Sequence, residues 1–155
     1  MGNENGRKKI DVVEEMPVFQ DLFRLAVDAE RITKRYHADF RWLRSQTLRA
    51  SESACANLTE GFYTQYSTEY LQALYRSRRE ARETMTHLRY ALEIGRLDED
   101  STAVMLDRYR SALKQLAGLI ASIERKIRDR GKSKSFSLIG HRPLTMGHSF
   151  LEVPK

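Results

Sequence analysis

Three polar side chains have the types and spacing that could do chemistry in this sequence: Asn57, Glu60 and Arg78. Asn57, Glu60 and Gly61 form an Asn-x-x-Glu-Gly motif inside an otherwise helical, core-like pattern. Arg78 occupies an inward position of the following helix, where an unpaired charge would be costly to bury. We expect Glu60 to pair with Arg78, and Asn57 either to satisfy a further donor or to cap a backbone group near Gly61. The sequence thus predicts a buried polar network that fixes the register of two helices, and catalysis by the same three residues is the alternative.

Other chemistry finds little support. Cys55 stands between two alanines, as is typical of a packed small residue, and the four histidines are scattered along the chain. Glu83 and His87 are four residues apart, whereas a di-metal site in a helical bundle needs Glu-x-x-His repeated on a second helix. No glycine-rich phosphate loop, nucleophile elbow or zinc-binding spacing is present. The sequence therefore predicts no enzymatic activity, no catalytic or metal-binding residues and no cofactor.

Long helices must position these residues. None of the three prolines falls between residues 18 and 142, and glycines are rare in that interval. Apolar positions follow a helical period from Pro17 to about Tyr36, from Leu43 to Gly61, from Ser67 to about residue 95, and from residues 98–101 to Ile127. Short connections make successive helices antiparallel neighbours. We predict an all-α, antiparallel up-down four-helix bundle over residues 16–130, with flexible segments at residues 1–15 and 131–155.

The inner faces of the second and third helices differ in size. The second has a row of mostly small residues, which lets another helix backbone approach closely: Leu43, Thr47, Ala50, Ala54, Asn57 and Gly61. The third has a row of mostly larger residues, interrupted by one cation: Leu71, Leu74, Arg78, Ala81, Met85, Leu88 and Leu92. We therefore expect the second and third helices to pack closely along these rows.

The chain is basic, with a formal net charge of +6 and a pI near 9.6. Residues 124–134 contain six Lys or Arg against two acids. Such a patch favours polyanions such as nucleic acid or acidic lipid, although Lys and Arg are also favourable at any helix C-terminus. We place nucleic acid first because basic residues also crowd near residues 31–35 and 41–44. The predicted nucleic-acid contacts are Arg41, Arg44, Arg125, Lys126, Arg128, Arg130, Lys132 and Lys134.

The sequence favours a cytoplasmic location. No run of about 18 apolar residues is present to span a membrane, and the N-terminal residues have no apolar stretch typical of a signal peptide. A single cysteine rules out an internal disulfide and fits a reducing compartment. We expect no membrane partner.

Residues 45–97 resemble the family of 23S ribosomal RNA intervening-sequence proteins, which includes proteins similar to the accessory variability determinant of diversity-generating retroelements. The family pattern has five elements in order: Ser-Gln-x-x-Arg-Ala, Asn-x-x-Glu-Gly-Phe, a Ser-x-x-Glu-Phe-like helix start, Ala-Arg-Gly-Ser-x-x-Glu, and Ala-x-x-Leu-Gly-x-Leu. The chain departs from the pattern at Cys55, where proline is common, and at Arg79 and Glu80, which replace Gly-Ser. The matching residues are Ser45, Gln46, Arg49, Ala50, Asn57, Glu60, Gly61, Phe62, Ser67, Glu69, Tyr70, Arg78, Glu83, Ala91, Gly95 and Leu97.

This resemblance implies a non-catalytic four-helix bundle assembled as a ring-shaped homopentamer. It also implies, through the retroelement proteins, binding to a reverse transcriptase and its template RNA. Together with the basic charge, this predicts a non-enzymatic accessory protein that binds the RNA or DNA backbone and assists a reverse transcriptase. The alternative is an orphan scaffold of the intervening-sequence type that acts through protein–protein contacts.

Overall fold

The computed structural model describes the backbone of residues 9–139 and the side chains of residues 9–132. Two 3-10 turns lie in this range, at Val13–Glu15 and Ala38–Phe40, and the same residues contain no strand. The predicted all-α class is confirmed. The four helices are α1 (Pro17–Thr33), α2 (Arg41–Phe62), α3 (Ser67–Glu93) and α4 (Glu99–Ile139).

Local sequence signals set several helix ends. Pro17 is the first residue of α1, a position at which a helix does not use the backbone N–H that proline lacks. Gly95 follows α3 with a φ of +72°, the left-handed conformation that lets a chain leave a helix. Asp98 then accepts a hydrogen bond of 2.8 Å from the backbone N–H of Ser101, which caps the start of α4.

Contacts between side chains establish the antiparallel order of the helices. Trp42 near the start of α2 contacts Tyr90 near the end of α3, with 5.9 Å between ring centroids, while Asn57 later in α2 contacts Arg76 earlier in α3. Helix α1 packs on both α2 and α4, so the four helices close into a bundle. The same inverse order relates α4 to α3 and to α1, through the pairs Tyr75–Glu124, Ser67–Arg130, Asp28–Arg108 and Asp21–Gln115.

The core contains large side chains, but between α2 and α3 it is lined by small residues that let the two helices lie close together. The small row of α2 is buried as predicted, apart from Asn57, which is half-buried. The Ser77 hydroxyl of α3 donates a hydrogen bond of 2.7 Å to the Ala54 carbonyl of α2, a contact that requires the two backbones to lie close together. The largest side chains of the core are Leu22, Leu25, Leu43, Leu58, Leu74, Leu88, Tyr109 and Leu116.

The inward face of α3 is rotated from the predicted row. Ser77 and Thr84 are fully buried, whereas Leu71, Arg78 and Leu92 are only half-buried. The Thr84 hydroxyl donates to the Glu80 carbonyl one turn earlier, so it enters the core without an unpaired donor. The row predicted from sequence consists mainly of large apolar residues. The face of α3 that meets α2 instead has small residues, because only these allow the two helices to lie so close together.

Two predicted segment boundaries differ from the structure. Helix α4 continues beyond residue 130 to Ile139, because the single Gly131 costs a helix only about 1 kcal/mol and no proline follows until residue 143. Val13 is buried in the core, inside the segment predicted to be flexible. Residues 1–8 and 140–155, the remainder of the two predicted flexible segments, lie outside the described residues.

None of the helices in the described range combines the length and hydropathy needed to cross a membrane.

Candidate nucleic-acid interface

The predicted nucleic-acid contacts fall into two groups at opposite ends of the bundle. Arg41 and Arg44 lie in the first turn of α2, and Arg130 lies beside Ser67, the first residue of α3. The length of α2 separates the two ends by about 30 Å at 1.5 Å per residue. The two groups therefore form two distinct basic surfaces of one subunit rather than one continuous patch.

The first surface, the α4 cluster, comprises Arg125, Lys126, Arg128, Arg130 and Lys132. All five side chains are exposed, because the buried face of α4 ends at Ile123 and, of the described residues beyond it, only Glu124 and Ile127 are half-buried. Lys134 lies in the same helix, beyond the side chains that the structure describes. About nine residues of α4 follow Arg130, so the helix extends roughly 13 Å past the start of α3.

Positive charge in the α4 cluster is largely uncompensated. The Glu124 carboxylate accepts a 2.6 Å hydrogen bond from the Tyr75 hydroxyl of α3 and forms no ion pair within the described residues. Arg130 donates to the Ser67 hydroxyl at 3.3 Å, and within residues 9–132 the other four cations form no ion pair. Asp129 is the one acid in the interval between Arg125 and Lys132. The cluster can therefore make several contacts to a polyanion without breaking internal salt bridges.

The second surface lies where α1 turns into α2. Lys34, Arg41, Arg44 and Arg49 line a common hollow of about 710 Å³ at this corner. Arg44 pairs with Glu30 of α1, and Arg49 lies 3.4 Å from Glu83 of α3. Lys34 and Arg49 were not among the predicted contacts. The basic run at residues 31–35 indicated Lys34, whereas only the folded corner brings Arg49 into the same hollow.

The predicted polar network forms with a different arginine. Arg76, not Arg78, donates to the Asn57 side-chain oxygen at 2.9 Å and lies 3.5 Å from Glu60. The Asn57 amide also donates to the Ser53 carbonyl at 2.8 Å, which fixes its orientation. The network is not buried as predicted, since the Glu60 side chain is 71% exposed.

Helix geometry explains the exchange of arginines. Ser77 is the residue of α3 that points at α2, and each residue turns the helix by about 100°. Arg76 and Arg78 therefore flank the contact on opposite sides. Arg76 reaches Asn57, whereas Arg78 lies over the Tyr75 ring at 5.1 Å, on the side where Tyr75 bonds Glu124 of α4.

Cys55 has the environment of a packed residue rather than of a nucleophile. It is buried, and its thiol lies 3.7 Å from the Ser51 carbonyl one turn earlier. Burial, reinforced by the nearby Glu52 carboxylate, raises the pKa of the thiol to about 12. The thiolate form is therefore scarce at neutral pH. Among the described residues, no three His, Cys, Asp or Glu side chains come together as a metal site would require.

These features define an all-helical protein whose polar motif joins two helices and whose cations collect at two ends. A comparison with protein families matches residues 14–118 to the 23S rRNA-intervening sequence proteins. The matched range covers α1, α2, α3 and the first half of α4. The chain belongs to this family, as the resemblance in residues 45–97 predicts. A comparison with curated proteins gives no match.

Proposed function

We propose that this protein is a non-enzymatic RNA-binding protein that contacts the nucleic-acid backbone through the α4 cluster. The observation that carries the proposal is the run of exposed, unpaired cations where α4 leaves the bundle. Lys and Arg side chains that neutralise phosphates release counterions, which gives binding that depends on salt and not on base sequence. Stacking aromatic residues of an RNA-recognition motif are absent from the sequence, so backbone contact is the mode that fits.

The contrast with the rest of the surface supports this assignment. Several other arginines of the bundle pair with acids, including Arg108 with Asp28 at 2.7 Å and Arg79 with Glu80 at 3.0 Å. The Arg108–Asp28 pair joins α4 to α1, and each such pair leaves little net charge. Exposed arginines that form no ion pair within the described residues, such as Arg24, Arg82 and Arg89, are dispersed over α1 and α3 rather than clustered. The α4 cluster projects from the end of the bundle instead, so a nucleic acid can approach it without meeting paired carboxylates.

The proposed partners are a template RNA and a reverse transcriptase of a diversity-generating retroelement. This part of the proposal rests on the resemblance of residues 45–97 to the accessory proteins of those elements. The proposed location is the cytoplasm, and we propose DNA as a second possible ligand because phosphate contacts alone do not distinguish it from RNA. Co-purification of the full chain with the reverse transcriptase of a neighbouring gene tests this part separately.

The second candidate function is that of a protein scaffold, and an apolar groove favours it. Phe19, Phe23, Ala26 and Val27 of α1 face Leu48 and the Cys55 region of α2 across a groove of about 500 Å³. Phe23 is 53% exposed although it stacks on Phe19 at 5.8 Å between ring centroids. We propose that a second copy of this chain covers the groove, in a homo-oligomer that the family resemblance expects to be a pentamer.

Fluorescence anisotropy of full-length protein with a structured RNA, from low to physiological salt, tests the primary proposal. We expect binding whose affinity falls steeply as salt rises, because phosphate contacts release counterions. Absence of binding even at low salt would contradict the RNA-binding function and leave the scaffold function as the better account.

A further inference from the structure

The corner hollow between α1 and α2 has the composition of a binding site for one compact anion. Its lining residues contain no carboxylate. They include Lys34, Arg41, Arg44 and Arg49, together with the Ser45 hydroxyl.

Three acids lie near the edge of the hollow, and each has a partner. Glu30 pairs with Arg44, Glu83 with Arg49, and Asp39 with His37.

Two of the four cations are available to a ligand. Neither Lys34 nor Arg41 has an ion-pair or hydrogen-bond partner for its side chain in the described part of the chain. Arg44 and Arg49 lie in the same hollow and can each share an N–H with a bound oxyanion, since a guanidinium has five donors. A phosphate suits this set because its oxygens accept the paired N–H groups of arginine.

Two further observations point to a missing acceptor at this corner. The Tyr36 hydroxyl is buried, and it finds no hydrogen-bond partner within the described residues, although Tyr36 lines the hollow. Helix α2 begins at Arg41 with no side-chain cap and no acidic residue in its own first turn, and Asp39 in the 3-10 turn that precedes it pairs with His37. The partial positive charge of a helix N-terminus is usually balanced by such groups, and a bound anion balances it equally well.

We infer that this hollow binds a phosphate group, which under the proposed function belongs to an RNA chain. The inference rests on the proposed function only for the source of that phosphate. Because the hollow is concave and about 30 Å from the α4 cluster, it suits a chain terminus or a sharply turned phosphate. The extended backbone would instead follow the exposed α4 cluster.

The Tyr36 hydroxyl is a hydrogen-bond donor at physiological pH. Its ordinary pKa of 10.0 is already well above that range, and desolvation raises the pKa further, to about 12. A Tyr36→Phe variant removes this donor while retaining the ring. Because the hydroxyl has no partner in the described residues, its removal leaves no protein group newly unpaired, and the variant is expected to fold.

The test uses full-length Tyr36→Phe and Arg41→Gln variants with matched controls outside the hollow. Tyr66→Phe is the first control, since Tyr66 is 63% exposed, and Arg24→Gln is the second, since Arg24 is exposed on α1. Inorganic phosphate is titrated against thermal unfolding at constant ionic strength. Phosphate stabilises many proteins by exclusion from their surface, so only the difference between variants and controls reports binding.

The inference predicts that phosphate raises the Tm of the wild type and both controls more than that of the two hollow variants. It also predicts that both hollow variants bind RNA about tenfold more weakly than the controls. Comparison of RNA carrying a 5′-phosphate with RNA carrying a 5′-hydroxyl then identifies the source. A preference for the 5′-phosphate, lost in Arg41→Gln, identifies a terminal phosphate, and equal weakening of both RNAs identifies an internal one.

Failure of this inference is distinguishable from failure of the proposed function. If the wild type binds RNA but the hollow variants match their controls in both assays, the hollow is not a phosphate site and the α4 cluster accounts for binding. If the wild type binds no RNA but phosphate stabilises it in a manner that depends on Arg41, the hollow stands as a site for free phosphate and the RNA-binding function falls.

Discussion

A Cβ atom built on Gly61 of α2 would lie 2.6 Å from the Cβ of Ala73 and 2.9 Å from the ring of Tyr70, both on α3. Only glycine therefore permits the close approach of α2 and α3 at the end of the Asn-x-x-Glu-Gly motif. This relationship assigns the motif to a helix junction, where Asn57 and Glu60 contact Arg76 one turn further along the same seam.

Replacement of Gly61 by alanine is expected to lower the free energy of unfolding by about 1–3 kcal/mol, because the added methyl group must displace the α3 backbone. Gly118→Ala is the matched control, since nothing lies within 4 Å of a Cβ at that helical position. The control should raise stability by about 0.5–1 kcal/mol. Denaturant unfolding measures both, and equal effects at the two positions would show that the α2–α3 seam is not tightly packed.

The coupling between Asn57 and Arg76 is expected to be small but measurable. A double-mutant cycle with Asn57→Ala and Arg76→Ala should give an interaction energy of about 0.5–1 kcal/mol, since the Arg76 side chain is 41% exposed. The cycle of Asn57 with Arg78 is the control and should give a value near zero, because Arg78 lies over Tyr75 instead. A larger coupling to Arg78 than to Arg76 would restore the pairing expected from sequence.

Asp98 gives α4 a pH-dependent cap. The backbone N–H of Ser101, followed by its side chain, lowers the pKa of the Asp98 carboxyl below its ordinary value. A depressed pKa in the folded state means that the stabilisation is complete above the ordinary value of about 4 and is lost as pH falls through the folded pKa. Asp98→Asn should therefore unfold with a weaker pH dependence below about pH 4 than the wild type. Identical pH profiles of Tm would contradict this cap.

Phe23 is expected to lie in the interface between copies. Phe23→Arg places a charge in the apolar α1–α2 groove and should reduce the molar mass measured by light scattering toward that of one 18.0 kDa chain. Val104→Arg is the control, because Val104 is 58% exposed on α4 and does not line that groove. An unchanged oligomer in Phe23→Arg, or a monomeric wild type, would contradict self-association through this groove.

The extent to which sequence predicts this structure depends on the residue. Pro17, Gly95 and Asp98 are local signals, so the ends of α1, α3 and the start of α4 follow from sequence. Arg78 was misplaced because rows of three and four residues do not say which of two adjacent helix faces meets a partner. That choice is made by the fit of small residues such as Ser77 and Ala54, which only the packed pair of helices reveals.

Of the two basic surfaces, one can be predicted from sequence and the other cannot. Residues 125–132 are contiguous in sequence, so the composition alone located the α4 cluster. The corner hollow joins Lys34, Arg41 and Arg49 from two helices with the buried hydroxyl of Tyr36, and no sequence spacing links these residues. Only the folded turn between α1 and α2 brings these residues together.

RNA binding through the α4 cluster is best tested by a charge-reversal experiment. One variant replaces Arg125, Lys126, Arg128 and Arg130 with glutamate. The control replaces four dispersed and exposed cations with glutamate, so that both variants have the same net charge. These cations are Arg24, Arg82, Arg89 and Lys114. RNA affinity is then measured by fluorescence anisotropy across a series of salt concentrations.

We expect reversal of the α4 cluster to abolish most of the RNA affinity. The slope of log affinity against log salt should become shallower by about 3, as expected for four lost contacts to single-stranded RNA. The control should retain nearly the full steepness. Equal losses in the two variants would mean that overall charge governs binding, and would contradict RNA binding through the α4 cluster.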